Sequence, residues 1–284
     1  MRPGWTPETG LWSTPDVSVR PQWSTLDELV AALPGAWKRS WQEHWRLLCV
    51  AWTLGIAACA VALRAGGLYY FHDFRPKGLG PWAGSFSVLS AFLLAGSGLC
   101  LLLLARRSFL RRQSPIRTIA WTLGGVGGVY LGLDDLLQIH EMISRKLEAG
   151  GVPRVFGLGD QDLYVFFFYG VVALFVARFS GRDLLRWNDA WLPGLMAIGC
   201  ALISLLVDLA PWERLTPGQQ ALWGPVEEVA KTLGTLNLAL MAILLVEAAA
   251  RWDRTDAMAH PAARSDLSLV SSDSFDRREK RPAS

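Results

Sequence analysis

The sequence predicts an all-α protein: a polytopic membrane helix bundle of about six transmembrane helices, with both termini in the cytoplasm. The 284-residue chain is 51% hydrophobic with a mean hydropathy of +0.25. It contains nearly uncharged runs, such as 89–105 and 165–177, which are typical of membrane spans. Several of its 14 Trp residues stand at the edges of apolar segments, where amphipathic rings favour the headgroup layer.

Residues 1–45 are predicted to be an N-terminal cytoplasmic segment with a short interfacial helix. Thr25 and Glu28 have capping-box spacing, and the apolar residues that follow share one side of the helix. Pro34-Gly35 is expected to end this helix. No cleavable signal peptide is visible, because the first 40 residues are polar rather than basic and then apolar.

Residues 46–250 are predicted to form the transmembrane domain. Its six spans are placed at about 46–66, 83–105, 117–139, 162–179, 190–209 and 225–248. Lys and Arg are concentrated after spans two and four and at both ends of the domain, which places these segments in the cytoplasm. The glycine-rich run 124–128 favours close helix packing. Residues 251–284 lack periodicity and are predicted to be a disordered cytoplasmic tail.

Two charged stretches stand inside or at the ends of these apolar segments. The first, at the end of span three, contains Asp134, Asp135, His140 and Glu141. The second, at the start of span six, contains Glu227, Glu228 and Lys231. A charge at the centre of a membrane helix costs roughly 2.5–3.5 kcal/mol, so such residues indicate a functional site by default. The topology puts both stretches near the external face with Asp208, and we expect them to form one pocket.

Helical phase limits which residues of the first stretch can face that pocket. At about 100° per residue, Asp134 shares a stripe with Gln138 and Glu141. Asp135 lies on one side of this stripe and His140 lies on the other. Asp135 and His140 therefore cannot both share the face of Asp134 unless the helix unwinds near Gln138.

These residue types suit a divalent metal ion such as zinc, manganese or iron, which would offset the repulsion among the acids. The expected metal ligands are Asp134, Asp135, His140, Glu141 and Asp208. The expected catalytic group is Glu227, Glu228 and Lys231. A glutamate would accept a proton from water, and the lysine would orient the glutamates or stabilise an oxyanion. Two structural alternatives stay open, namely solvated helix ends for the acids and a simple ion pair for the lysine.

The motif L-D-D-x-x-x-x-H-E at 133–141, together with E-E-x-x-K at 227–231, resembles a group of uncharacterised bacterial six-span membrane proteins. The second motif also resembles that of the PrsW and CAAX-protease-like intramembrane proteases, in which the paired glutamates are taken as catalytic. This resemblance implies that Glu227 or Glu228 activates water. The further F-x-x-x-H/E and H-x-x-x-D/N motifs of those families have no counterpart after span six. The implied location is the bacterial cytoplasmic (inner) membrane.

Together these features favour a metal-dependent membrane hydrolase that acts on a lipid or peptide bond near the outer face. The alternatives are a proton- or cation-coupled transporter, or a subunit of one, and a non-catalytic membrane scaffold. Transport is disfavoured because an inverted repeat would place equivalent charges at opposite depths. The expected partners are membrane lipids and the substrate, and a homo-oligomer stays open. The net charge of +3 predicts no nucleic-acid partner.

Overall fold

The described part of the chain is built from helices. The computed structural model describes residues 26–66, 70–71, 84–153, 162–186, 190–208 and 215–259. The α-helices in these ranges are α1 (Leu26–Gly66), α2 (Ser85–Leu110), α3 (Pro115–Leu137), α4 (Ile139–Ala149), α5 (Asp162–Arg186), α6 (Trp191–Asp208) and α7 (Pro217–Ala259). No strand occurs within them, which confirms the predicted all-α class.

Four of the described helices are long and apolar enough to cross a membrane. The qualifying stretches are Trp41–Ala65 in α1, Ser85–Leu110 in α2, Leu163–Gly181 in α5 and Pro217–Arg254 in α7. Helix α6 contributes a shorter apolar stretch, Trp191–Val207. Large apolar side chains such as Leu54, Phe167 and Leu206 are exposed rather than buried, which is the pattern expected of a surface in contact with lipid. The helices are those of an integral membrane protein with several spans.

Helices α2 and α3 pack against each other through glycine. A Cβ atom at Gly98 would lie 2.5 Å from backbone atoms of Gly125 and Val129. A Cβ atom at Gly128 would lie 2.8 Å from the Cα atom of Gly98. The two backbones touch at a level where only glycine fits, as is common in membrane helix pairs. This contact confirms the close packing predicted from the run 124–128.

Helix α7 packs against α1, α2 and α6. Its residues Leu244 and Leu245 are buried together with Trp121 of α3 and with residues of α2. Nearer the middle of α7, the buried Asn237 accepts a hydrogen bond from Trp52 Nε1 at 2.9 Å and donates one to a carbonyl four residues earlier. Both ends of the amide are therefore satisfied, which removes the cost of placing it among apolar helices.

The acidic segments of α3 and α7 lie at the same end of the bundle. Both acidic segments can be located by their contacts with helix α2. Phe86 in the first turn of α2 packs in one cluster with Val229 of α7. Little more than one turn further along α2, Ala91 lies against Gly132 of α3. Asp134 and Glu227 are each two residues from one of these contacts. The membrane topology from which the sequence analysis expected a common end stays a prediction.

Two helix boundaries differ from the expected ones at the first and third spans. Helix α1 continues through Pro34-Gly35, where the interfacial helix is predicted to end. A proline removes only one backbone hydrogen bond, and the helix has 41 residues in which to retain the others. The third span, predicted to reach residue 139, is interrupted after Leu137, and a new helix starts at Ile139.

An ion pair holds the C-terminal end of α7 against α2. Arg107 donates to both carboxylate oxygens of Asp253, the shortest N–O distance being 2.7 Å. Arg111 lies 2.5 Å from the same carboxylate. The bidentate contact of Arg107 with Asp253 stabilises the last turns of α7, which end at Ala259. Residues 251–259 therefore belong to α7 rather than to the predicted tail, and residues 260–284 lie outside the described residues.

Candidate functional site

The candidate site begins with a break between α3 and α4. Gln138 has φ 52° and ψ 43°, a left-handed conformation, and its backbone N–H donates to the Asp134 carbonyl. On a continuous helix, His140 would lie about 120° around the axis from Asp134. The left-handed residue redirects the chain and brings His140 back against the Asp134 side chain. The exception foreseen from the sequence, an unwound helix near Gln138, is therefore the arrangement that occurs.

Asp134 is buried, with 5% of its side chain exposed, and it accepts three hydrogen bonds. Its Oδ1 accepts the backbone N–H of His140 at 2.7 Å. Its Oδ2 accepts from His140 Nδ1 at 3.1 Å and from the Tyr169 hydroxyl of α5 at 3.0 Å. Both carboxylate oxygens are thus engaged, by a residue on α4 and by a residue on α5. Asp134 joins three helices at one end of the bundle.

The Asp134 contact fixes the chemistry of His140. When Nδ1 carries the proton and donates it to the carboxylate, Nε2 has the lone pair of the neutral ring. The His140 side chain is 23% exposed, so it lies at the edge of the cluster while Asp134 lies inside it. An imidazole oriented in this way is suited to accept a proton or to bind a metal ion. Asp134 is placed to orient the imidazole.

Aromatic residues of α5 surround the imidazole. The Phe166 ring centroid lies 5.7 Å from that of His140 and 6.3 Å from that of Tyr169. On its other side, Tyr169 meets Tyr130 of α3 edge to face, at 6.1 Å. Tyr169 was not predicted from the sequence as part of the site. A tyrosine in an apolar span was the available signal, because a buried hydroxyl needs a hydrogen-bonding partner.

The other acids of the first stretch have different surroundings. Glu141 forms an ion pair with Arg145, at 2.6 Å, one turn further along α4. Asp135 is partly buried on α3. The site brought together by the structure is therefore centred on Asp134 and His140.

The second charged stretch forms an ion cluster within α7. Lys231 Nζ contacts Glu227 Oε1 and lies 3.8 Å from Glu228 Oε1. The glutamates are mostly buried, whereas the lysine side chain is 42% exposed. These pairs join residues three and four positions apart on one helix, as predicted from the spacing. These two pairs lie within α7, whereas the described contacts of Asp134 reach α4 and α5.

The predicted metal ligands do not form a three-residue group among the side chains that the structure describes. No three His, Cys, Asp or Glu residues in that part of the chain lie close enough together to hold a metal ion. Asp208 is the last residue of α6, and its side chain lies outside the described residues. A metal centre that includes Asp208 stays a prediction.

A family model covers both charged stretches. The model, described as a domain of unknown function (DUF8692), matches residues 54–248, from within α1 to within α7. No curated protein and no solved structure matches the chain. Because the matched range is more than half of the 284 residues, the chain belongs to the DUF8692 family.

Proposed function

We propose that this chain is a membrane hydrolase that acts on a lipid or peptide bond near the outer face of the bacterial inner membrane. His140 activates water, and Asp134 holds His140 in position. The contact between these two residues carries the proposal, because it joins a buried carboxylate to a partly exposed imidazole at one end of a membrane bundle. A buried charge in such a setting is costly, which favours a functional role.

Six spans with cytoplasmic termini are part of this proposal. Helices α3 and α5 run in opposite directions, since Asp134 bonds Tyr169 at one end and Gly124 lies against Val176 further along. Helix α6 is likewise antiparallel to α7, judged by the contacts of Gly194 with Met241 and of Gly234 with Cys200. This alternation supports a chain that crosses the membrane with each long helix. The arginines near the α2–α3 turn support its cytoplasmic location.

The step assigned to His140 is general base catalysis. Nε2 accepts a proton from water while the water oxygen attacks the carbonyl carbon or the phosphorus of the substrate. The Asp134 carboxylate stabilises the imidazolium that forms, and the imidazolium then returns the proton to the leaving group. A positioned base of this kind contributes about 10²–10⁴-fold to the rate.

A divalent metal ion would use the same nitrogen in another way. Zinc, manganese or iron would bind the Nε2 lone pair, and Asp134 would be the hydrogen-bonded group behind this ligand. Both oxygens of Asp134 already accept hydrogen bonds, which favours this orienting role over direct ligation. Asp208 remains the proposed second ligand. Metal content therefore distinguishes base catalysis from metal activation of water.

Glu227, Glu228 and Lys231 form a second catalytic candidate. Their E-E-x-x-K pattern supports this assignment through its resemblance to the PrsW and CAAX-protease-like proteases. Their contacts favour the simpler alternative, since the lysine neutralises glutamates of its own helix. We therefore assign water activation to His140 first.

The test compares two histidine variants of the full chain, purified in detergent. The substrates are a fluorogenic ester lipid, a fluorogenic phosphodiester lipid and a quenched fluorescent peptide. We expect His140→Ala to lower turnover by at least about 100-fold. His44→Ala in α1, the matched control, alters a partly buried histidine well before the outer end of that helix and should leave turnover unchanged.

Metal analysis by mass spectrometry on the same samples separates the two roles of His140. One bound ion per chain that is lost in His140→Ala supports metal activation. Full turnover without metal supports base catalysis. Wild-type turnover by His140→Ala would contradict the proposed function in either form.

A further inference from the structure

The end of the bundle opposite the acidic segments carries a surplus of positive charge. The basic end is defined as residues 106–117, around the turn from α2 to α3, together with residues 247–254 of α7. These residues include seven arginines and two acids. Contacts of Arg107 and Arg111 with Asp253 join the two segments into one surface. A surface with this balance of charge attracts an anion.

Both acids of the basic end already pair with arginine. Asp253 is shared, since Arg107 binds both of its oxygens and Arg111 Nη2 lies 2.5 Å from its Oδ1. Glu247 Oε1 lies 4.0 Å from Arg251 Nε. Three further arginines of the basic end are exposed, namely Arg106, Arg112 and Arg254. An anion from outside the chain can therefore reach them.

Arg112 stands at a position where the backbone favours glycine. It follows the end of α2 with φ 50°, in the left-handed region. The Arg112 N–H donates to the Phe109 carbonyl, and the Gln113 N–H donates to the Ser108 carbonyl, a pattern of helix end that glycine usually closes. An arginine in this conformation costs free energy, because its Cβ atom is crowded by the backbone. A cation placed at this exposed position despite that cost indicates a role for its charge.

The position of the basic end indicates the source of the anion. The 26-residue stretch Ser85–Leu110 is long and apolar enough to cross a membrane. Such a stretch measures about 39 Å, more than the roughly 30 Å of a hydrocarbon core, so a crossing helix brings the residues after Leu110 to the headgroups. Phe109 and Leu110 are 71% and 63% exposed, directly before Arg111 and Arg112. Apolar side chains beside arginines suit acyl chains beside phosphates, a combination that a free anion in solution does not offer.

We propose that the basic end binds the phosphate groups of anionic phospholipids through Arg106, Arg112 and Arg254. The planar guanidinium group donates two parallel hydrogen bonds to phosphate oxygens. The lipid must carry a net negative charge, because a zwitterionic headgroup brings its own cation to the surface. The basic end lies at the other end of the bundle from Asp134 and His140, so this inference does not rest on the proposed function.

The test measures lipid binding by native mass spectrometry on the full chain in a nonionic detergent. The probes are dioleoyl phosphatidylglycerol, dioleoyl phosphatidylcholine and inorganic phosphate. The double variant Arg106→Gln/Arg112→Gln removes two exposed cations. It should weaken phosphatidylglycerol binding by at least about tenfold, because each arginine near an anionic surface contributes about fivefold. Binding of phosphatidylcholine should not change.

The matched control is Arg145→Gln/Lys146→Gln, which removes two exposed cations from α4 at the acidic end. It should leave phosphatidylglycerol binding unchanged. Equal wild-type affinity for the two lipids overturns the inference, and so does unchanged phosphatidylglycerol binding in Arg106→Gln/Arg112→Gln. Inorganic phosphate that displaces phosphatidylglycerol at equal concentration would assign the surface to a free anion and overturn the lipid as its source.

Asp253→Asn should change lipid binding in the opposite direction. The variant removes the carboxylate shared by Arg107 and Arg111, so it should lower the unfolding temperature and release both guanidinium groups to the lipid. We expect phosphatidylglycerol affinity to rise about fivefold. A purely structural role of these arginines predicts the lower unfolding temperature without a gain in affinity, and that result would contradict the proposal.

Discussion

Two charged regions share one end of the bundle and are stabilised in opposite ways. Asp134 on α3 is held by His140 of α4 and Tyr169 of α5, contacts that need three helices in place. Glu227 on α7 is neutralised by Lys231, one turn away on the same helix. Both regions place charged side chains at the end of an apolar segment, where a charge is costly unless it is paired. The described contacts of Asp134 reach two other helices, whereas the Glu227–Lys231 pair lies within one helix.

The difference has an energetic consequence. Hydrogen bonds to a buried charge contribute about 1.5–3 kcal/mol each, whereas pairs three or four residues apart on a helix surface contribute about 0.2–0.5 kcal/mol. Asp134 is enclosed, and the 42% exposure of Lys231 allows solvent to screen its pairs. The Asp134 region should therefore dominate both stability and activity.

The largest effect is expected from Asp134→Ala. This change leaves the His140 N–H, His140 Nδ1 and the Tyr169 hydroxyl without their acceptor. We expect it to lower the free energy of unfolding by about 3 kcal/mol, measured by reversible unfolding in detergent and denaturant. Glu227→Ala is the comparison and should cost about 0.5 kcal/mol. Equal losses in the two variants would remove the distinction between the regions.

The sequence predicted an all-α chain with apolar helices long enough to span a membrane, because these follow from run lengths. The membrane depth of its acids stays a prediction. The sequence did not show which acid would be paired. His140 lies six residues after Asp134, a spacing that a regular helix does not bring together. Only the break at Gln138 does so, and glutamine is not a residue that favours the left-handed conformation. The local Glu227–Lys231 pair, by contrast, followed directly from a spacing of four.

An intermediate effect is expected from Tyr169→Phe. The variant keeps the ring contacts with Tyr130 and Phe166 and removes only the hydroxyl that donates to Asp134. We expect a loss of about 1.5 kcal/mol in unfolding free energy. Turnover should fall about tenfold, because Asp134 then holds His140 less firmly.

Tyr164→Phe is the matched control for this variant. Tyr164 also lies in α5, and its hydroxyl donates to the Pro153 carbonyl, at 2.9 Å, in an exposed position. Its removal should change stability by less than about 0.5 kcal/mol and leave turnover intact. If the two variants behaved alike, the Tyr169 hydroxyl would have no special part in orienting Asp134.

The same contrast explains one helix end and one site residue that the sequence did not predict. Periodicity does not reveal that Asp253 meets Arg107 of α2, so the end of α7 was set too early. Likewise, no local pattern reveals that Tyr169 reaches a carboxylate 35 residues away in the chain. Span cores were predictable because each depends on its own composition, whereas the site and the helix ends depend on neighbouring helices.

The smallest effect is expected from Glu227→Gln, and it decides between the two regions as the catalytic centre. The variant keeps size and weakens the ion pair with Lys231, so we expect a loss of about 0.3–0.5 kcal/mol that disappears in high salt. Arg145→Ala, which breaks the exposed pair with Glu141, is the matched control and should respond to salt in the same way. Turnover of Glu227→Gln should stay near that of wild type, because the proposed function assigns water activation to His140. A loss of about 100-fold in turnover with unchanged stability would instead assign the catalytic base to the E-E-x-x-K motif, since general base catalysis has that magnitude and a local ion pair does not.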